Sequence, residues 1–347
     1  MRSFAGSASG LVLVTILALT STACSAGSGD LQGQPPSPVA RVSDAPSSAE
    51  SATSGTSGIA FAPYVSATEA ADTEATGGPD AYNLAFAIAK SANSCTPVWG
   101  NSTALTDTAV VARVKALKAT GSQIRISFGG ASGTELASAC DSVADLADAY
   151  AEVLDATGAT LADFDIEGDA LADTASVTRR AQAVAKLQKS RELRVSYTLP
   201  VLPEGLQDDS LKLIEVSNNH DVQMDTVNLM AMNYGTSYTD DMSDYAEQAV
   251  AAAHTQLMKA LGLSSDAAWH GLAVTAMIGV NNVAGETFTL DDATGLRDFA
   301  ETKGLAWLSM WAAFRDQECS GGATTKVSES CSGVEQDAGA FATALGG

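Results

Sequence analysis

The sequence predicts an α/β protein built as a single (β/α)8 TIM barrel, and three observations predict it. Eight short segments rich in Val, Ile, Phe and Tyr recur along residues 59–347, and stretches with a 3.6-residue apolar period separate most of them. No Gly-rich dinucleotide turn follows the first segment, which counts against the rival, a doubly wound open sheet. The expected strands are Phe61–Val65, Tyr82–Ala89, Gln123–Phe128, Leu161–Ile166, Leu193–Leu199, Thr226–Met232, Leu272–Val280 and Ala306–Met310. Between the third and fourth, Asp141–Thr157 sets Val143, Leu146, Tyr150 and Val153 on one helical face, with Asp141 or Ser142 placed to cap it. Val177, Val184 and Leu187 repeat that pattern after the fourth strand, as do Val250, Leu257 and Leu261 after the sixth.

The barrel region is preceded by two segments of different character. Residues 11–20, LVLVTILALT, form an uncharged run too short for a stable membrane span, with Arg2 as a thin positive region before it. Residues 1–23 therefore read as a signal peptide. Ser21-Thr22-Ala23 suits small-x-small cleavage, and before Cys24 the same residues resemble a bacterial lipobox. The odd count of five cysteines favours lipid on Cys24, which leaves four to pair. Residues 24–58 are dominated by Ser, Gly, Ala, Pro and Thr and read as a disordered tether that cannot offset its ordering entropy by burial. Export is expected, either secreted or lipid-anchored at the cell surface, with contact to a membrane only through that anchor.

Composition narrows the chemistry. Of 347 residues, 19 are Lys or Arg and 41 are Asp or Glu, a formal charge of -22 that repels nucleic acid and anionic lipid. Three histidines, and the absence of HExxH, CxxC and GxxxxGK[ST], leave no expected metal site or cofactor. The chemistry should rest on carboxylates in a monomer. Cys95 with Cys140 and Cys319 with Cys331 are the expected structural disulfides, although four cysteines admit other pairings.

The strongest signal is DFDIEG, Asp163–Gly168. Alternate side chains of a strand share a face, so Asp163, Asp165 and Glu167 point one way while Phe164 and Ile166 point toward the helices. Mutual repulsion and burial should raise at least one carboxyl pKa and leave Glu167 able to act as a general acid. A calcium loop is the first competing reading, yet Glu167 takes its third acidic place and Thr174 its last. A solvated acidic turn is the second, opposed by the apolar Phe164 and Ile166.

D-x-D-x-E on a fourth barrel strand resembles the signature of glycoside hydrolase family 18, the chitinase family. ISFGG (Ile126–Gly130), NLMAMNYG (Asn228–Gly235) and WLSMW (Trp307–Trp311) resemble, in order, the segments of that family's third, sixth and eighth strands. The text around them is similar to the short bacterial chitinase-D-like branch. The resemblance spans residues 60–335. It implies a retaining endo-chitinase acting on β-1,4-linked N-acetylglucosamine chains or oligosaccharides, with substrate assistance in place of an enzymic nucleophile. By the same resemblance Glu167 is the acid/base, Asp165 orients the substrate acetamido group, Asp163 exchanges a proton with Asp165, and Tyr234 holds the acetamido oxygen. Trp311 is the implied sugar floor, with Met232 and Asn233 beside it. Two alternatives stay open: an endo-β-N-acetylglucosaminidase on glycoprotein glycans, and a lectin that binds chitin without cutting. Asn233 stands where the short branch tends to carry Asp, and Gly235 where an aspartate usually follows the tyrosine. Only Asn281–Gly304 separates the last two strands, room for one helix around Leu296 and Phe299. The α+β insertion of longer chitinases should be missing, leaving a shallow, open groove.

Several residues invite plainer readings. Trp307 is expected to pack, Met230 to fill the barrel, and Ser127, Gly129 and Gly130 to shape its mouth. Trp99 could serve as an outer sugar platform or as packing. His220, His254 and His270 have no assigned role.

Overall fold

The computed structural model describes residues 58–71, 78–100 and 102–347. The leader, Cys24 and the tether up to residue 57 lie outside the described residues, as do the expectations attached to them.

Eight parallel strands wind into a nearly closed barrel: β1 (Tyr64–Ser66), β2 (Ala81–Ser91), β3 (Gln123–Gly129), β4 (Leu161–Asp165), β5 (Arg194–Leu202), β6 (Met224–Ala231), β7 (Leu272–Met277) and β8 (Trp307–Trp311). Each pairs with the next, and a parallel bridge from Phe61 to Leu308 brings the first strand against the last. Its backbone bonds run from the Ala62 amide to the Leu308 carbonyl (2.8 Å) and from the Leu308 amide to the Ala60 carbonyl (2.9 Å). All eight strands overlap the predicted segments, although β1 begins at Tyr64, three residues later than expected.

The covering helices are α1 (Thr108–Ala119), α2 (Val143–Thr157), α3 (Thr174–Gln188), α4 (Asp208–Asn219), α5 (Met242–Leu261) and α6 (Leu290–Lys303). Ser142, not Asp141, caps α2, accepting the Asp145 amide at 3.1 Å. The apolar stripe behind that cap presents Tyr150, which meets Phe164 of β4 edge-on at 5.1 Å. Phe164 in turn stacks on Phe128 of β3 at 5.3 Å. Phe164 and Ile166 are fully buried in this outer layer between strands and helices, so their neighbours on β4 face the barrel axis.

One predicted strand is shorter than expected. Leu272–Val280 breaks after Met277, and Gly279–Val280 pairs antiparallel with Thr287–Phe288 instead. Gly279 has φ +71°, and a side chain there would collide with the Ser332 carbonyl, so the chain must turn. Between β7 and β8 the chain spends its residues on this hairpin and α6, with no α+β insertion.

Both expected disulfides are present. Cys95, on the strand Ser94–Trp99 that folds back against β2, joins Cys140 with Cα atoms 4.5 Å apart. Cys319 joins Cys331 at 5.1 Å, closing a loop after β8.

Candidate active site

The barrel register aligns Ser127 of β3 with Asp163 of β4, and Asp163 with Ser196 of β5. Asp163 is fully buried at the centre of this row. Its Oδ2 accepts the hydroxyls of Ser127 (2.7 Å) and Tyr64 (3.0 Å), and its Oδ1 those of Ser196 (2.7 Å) and Thr198 (2.8 Å). Asn228 of β6 extends the network, donating to the Thr198 and Thr275 hydroxyls at 2.9 and 2.7 Å. Burial pushes the Asp163 carboxyl up, while these hydroxyls and the Arg125 guanidinium pull it down. Arg125 lies one layer deeper, bonded to Asn83 at 2.7 Å and set over the Trp307 ring at 4.4 Å.

Two residues on, Asp165 is also buried but its Oδ1 has no partner. Burial raises its carboxyl well above the usual range, and the charges of Glu167 and Asp163 raise it further. Glu167, half-buried just past the strand end, is raised by burial as well. The pair therefore keeps protons to a higher pH than free carboxylates do. Gly129, at φ +100°, lets β3 approach closely: a side chain there would strike the Asp165 carbonyl. That carbonyl accepts the Gly130 amide at 2.9 Å, which ties the mouth of β3 to the carboxylate strand.

Asp165 and Glu167 open into a cleft of about 690 Å³ at the C-terminal ends of the strands. Tyr234, in the turn after β6, lines it with a buried hydroxyl that has no partner. Burial, aided by Glu286, pushes that phenol up and keeps it a donor at any ordinary pH. Asn233 adopts φ +55°, which asparagine tolerates well, and its Oδ1 accepts the Asn282 and Val283 amides at 2.9 and 3.2 Å. Opposite stands an aromatic wall: Trp311 stacks on Phe86 at 5.6 Å with 20° between rings, and Tyr64 and Phe314 each meet Trp311 edge-on at 5.7 Å. Among the described residues no group of three His, Cys, Asp or Glu is arranged to hold a metal ion.

No family model matches the chain. Over 275 residues it is 33% identical to a probable bifunctional chitinase/lysozyme of Escherichia coli (strain K12), covering 74% of this chain and 31% of that protein. Over 250 residues it is 32% identical to endochitinase 11 of Metarhizium anisopliae, covering 68% of this chain and 47% of that protein. The chain thus spans 31% and 47% of the length of these two curated relatives. The crystal structure of the catalytic domain of a hyperthermophilic chitinase from Pyrococcus furiosus superposes with a TM-score of 0.73 and 30% identity, over 83% of this chain and 93% of that one. The chain belongs to glycoside hydrolase family 18.

In this family 18 barrel the singled-out positions do not all fall as expected. Asp165, Glu167, Met232, Asn233, Tyr234 and Trp311 line the one cleft. Asp163 lies below its floor, and Met230 lines the cleft where barrel filling was expected. Ser127 does not shape the mouth: its place on β3 points it inward to Asp163. Trp99 is fully buried on the Cys95 strand, so it packs and offers no sugar platform. Trp307 packs in the lower barrel, as expected. The residues missed are Tyr64, Phe86, Ser196, Thr198 and Glu329, the last reaching the cleft from the loop closed by Cys319–Cys331. One usable signal was present. Small polar residues alternate with apolar ones on β5 (Val195-Ser196-Tyr197-Thr198) and at Thr226 and Asn228 of β6, marking a polar inner face that β7 and β8 continue only with Thr275 and Ser309.

Proposed function

We propose that this protein is a retaining endo-chitinase that cuts β-1,4-linked N-acetylglucosamine chains. One observation carries the reading: Asp165, Glu167 and the unpartnered Tyr234 hydroxyl converge on one cleft whose opposite wall is Trp311 on Phe86. The chitinase names of its relatives support the same substrate class.

In this reading Glu167 gives its proton to the glycosidic oxygen as the substrate's own acetamido carbonyl oxygen attacks the anomeric carbon. The C–O bond breaks and a cyclic oxazolinium ion forms. The Glu167 carboxylate then takes a proton from the water that opens the ion on its other face, and two inversions give retention. Asp165 orients the acetamido N–H, and its carboxylate offsets the positive charge that develops on the ring. Tyr234 donates to the acetamido oxygen. Trp311 covers the apolar face of the sugar, flanked by Met232 and Asn233. Asp163 already accepts four hydroxyls, so proton exchange with Asp165 requires one of them to turn away. From beneath Asp165 its charge adds to the rise of the outer carboxyl. We further propose export, which the two disulfides suit, and lipid attachment at Cys24, which metabolic labelling with palmitate, lost in Cys24→Ser, would show.

The test is incubation with chitin hexasaccharide and mass-spectrometric reading of products, beside Glu167→Gln. Shorter N-acetylglucosamine oligomers from the wild type alone are expected. No product from a folded wild type overturns the reading; binding without cleavage then leaves a lectin, and cleavage of glycoprotein glycans alone leaves an endo-β-N-acetylglucosaminidase.

A further inference from the structure

Glu286 lies on the hairpin segment between β7 and α6, away from the carboxylate strand, and is only 1% exposed. Its Oε1 accepts the Gly235 amide at 2.8 Å. Its Oε2 has no partner; burial raises the carboxyl, and the amides of Gly235, Tyr234 and Asn233 pull it part of the way back. The positive φ values of Asn233 (+55°) and Gly235 (+129°) bend the backbone of this turn toward the carboxylate.

The tie is reciprocal. Asn233 Oδ1 accepts two amides, from Asn282 and Val283, belonging to the loop that carries Glu286. Within that loop the Asn281 amide donates to the Glu286 carbonyl (3.1 Å) and the Glu286 amide to the Val283 carbonyl (3.2 Å). Asn281 anchors the loop to the end of β7 through the Met277 and Gly279 carbonyls, at 2.8 and 3.0 Å. The turn that bears Tyr234 and Asn233 is thereby locked to a second strand end. Burying a carboxylate is costly, and a salt bridge to a surface lysine would be a cheaper way to hold a loop. A buried carboxylate held on the Gly235 amide makes sense where the aim of the turn matters.

We propose that Glu286 is a positioning residue for hydrolysis: through the Asn233–Gly235 backbone it sets the aim of the Tyr234 hydroxyl into the cleft. This rests on the glycosidase reading above.

The test compares Glu286→Ala, Glu286→Gln, Tyr234→Phe and the double variant Glu286→Ala/Tyr234→Phe. Turnover of chitin hexasaccharide is measured together with amide exchange across residues 233–235. Glu286→Ala should lower kcat about 10- to 100-fold, with less change in KM, because a small misplacement of a positioned group is costly. Glu286→Gln, whose amide oxygen still accepts, should recover most of that loss. The double variant should be no slower than the slower single one, since both act through one hydroxyl. Exchange at residues 233–235 should rise in Glu286→Ala. If that variant does not fold, Glu286→Asp, one methylene short, takes its place with the same expectations.

A wild type that releases no product overturns the glycosidase reading, and the positioning role with it. A wild type that turns over, with Glu286→Ala or Glu286→Asp keeping full kcat, overturns the positioning role alone. So does an additive double variant, or fast exchange at residues 233–235 in the wild type.

Discussion

Asp163 and Asp165 share one face of β4, yet Asp163 accepts four hydroxyl hydrogen bonds while Asp165 leaves its Oδ1 without a partner. Two residues of strand, about 7 Å, separate a saturated carboxylate from an unsatisfied one. Burial raises the saturated group, but its occupied lone pairs and the nearby Arg125 offset part of that rise. Burial raises the unsatisfied group well above the usual carboxylate range, and Glu167 and Asp163 raise it further.

That arrangement has a stability consequence. Asp165 and Glu167 both have folded values above their ordinary ones near about 4. Between the ordinary and the raised values the folded chain binds more protons than the unfolded chain, so stability falls as pH rises through that window. Asp165→Asn removes the larger contribution. Its Tm should exceed that of the wild type at pH 7 by about 2–4 °C, and its Tm should fall less between pH 4 and 7. A wild-type curve that rises across the window instead would refute the assignment.

Tyr234→Phe should separate stability from function. The buried hydroxyl has no partner in the protein, so its removal leaves nothing unpaired and should cost no more than about 0.5 kcal/mol in a denaturant titration. Turnover of chitin oligosaccharides should nonetheless drop by on the order of 100-fold, the scale of losing one preorganised donor. Full activity would mean the hydroxyl does not serve the substrate.

Away from the cleft, Arg180 and Glu135 form a buried ion pair at 2.7 Å, which also takes the Tyr150 hydroxyl at 3.0 Å and the Ala137 amide at 2.8 Å. Arg180→Met alone strands the Glu135 charge and should cost about 3–5 kcal/mol. Adding Glu135→Gln should restore much of it, since Gln still accepts from Tyr150 and Ala137. Denaturant unfolding of the single and double variants gives the comparison.

The Cys319–Cys331 bridge closes a loop with a sequence separation of 12. Replacing both cysteines by Ser should cost about 2–3 kcal/mol of loop-closure entropy, read as a lower Tm. It should also free the segment that brings Glu329 to the cleft.

The elements legible in the sequence are those whose information is local. Each barrel strand is a short run of apolar residues between turn-forming stretches, and α2 and α3 show their stripes within a few turns, so residues a few positions apart suffice to find them. DFDIEG is legible for the same reason: a two-residue repeat puts Asp163, Asp165 and Glu167 on one face wherever the strand lies. The order of the motifs along the chain then points to the family.

Tertiary structure alone decided what those carboxylates meet. Tyr64, Ser127 and Ser196 reach Asp163 across 99, 36 and 33 residues of chain, and Phe86 reaches Trp311 across the barrel wall. Such meetings depend on sheet closure and on the register of each strand against the next, since a slip of one residue turns every side chain to the other face. The same holds for Glu286, whose hold on the Tyr234 turn arises only once β6 and β7 lie side by side. By itself the sequence determined which residues could do chemistry on one strand; barrel closure decided which of them are buried, which are hydrogen-bonded and which are left without a partner, because those properties belong to neighbours and not to spacing.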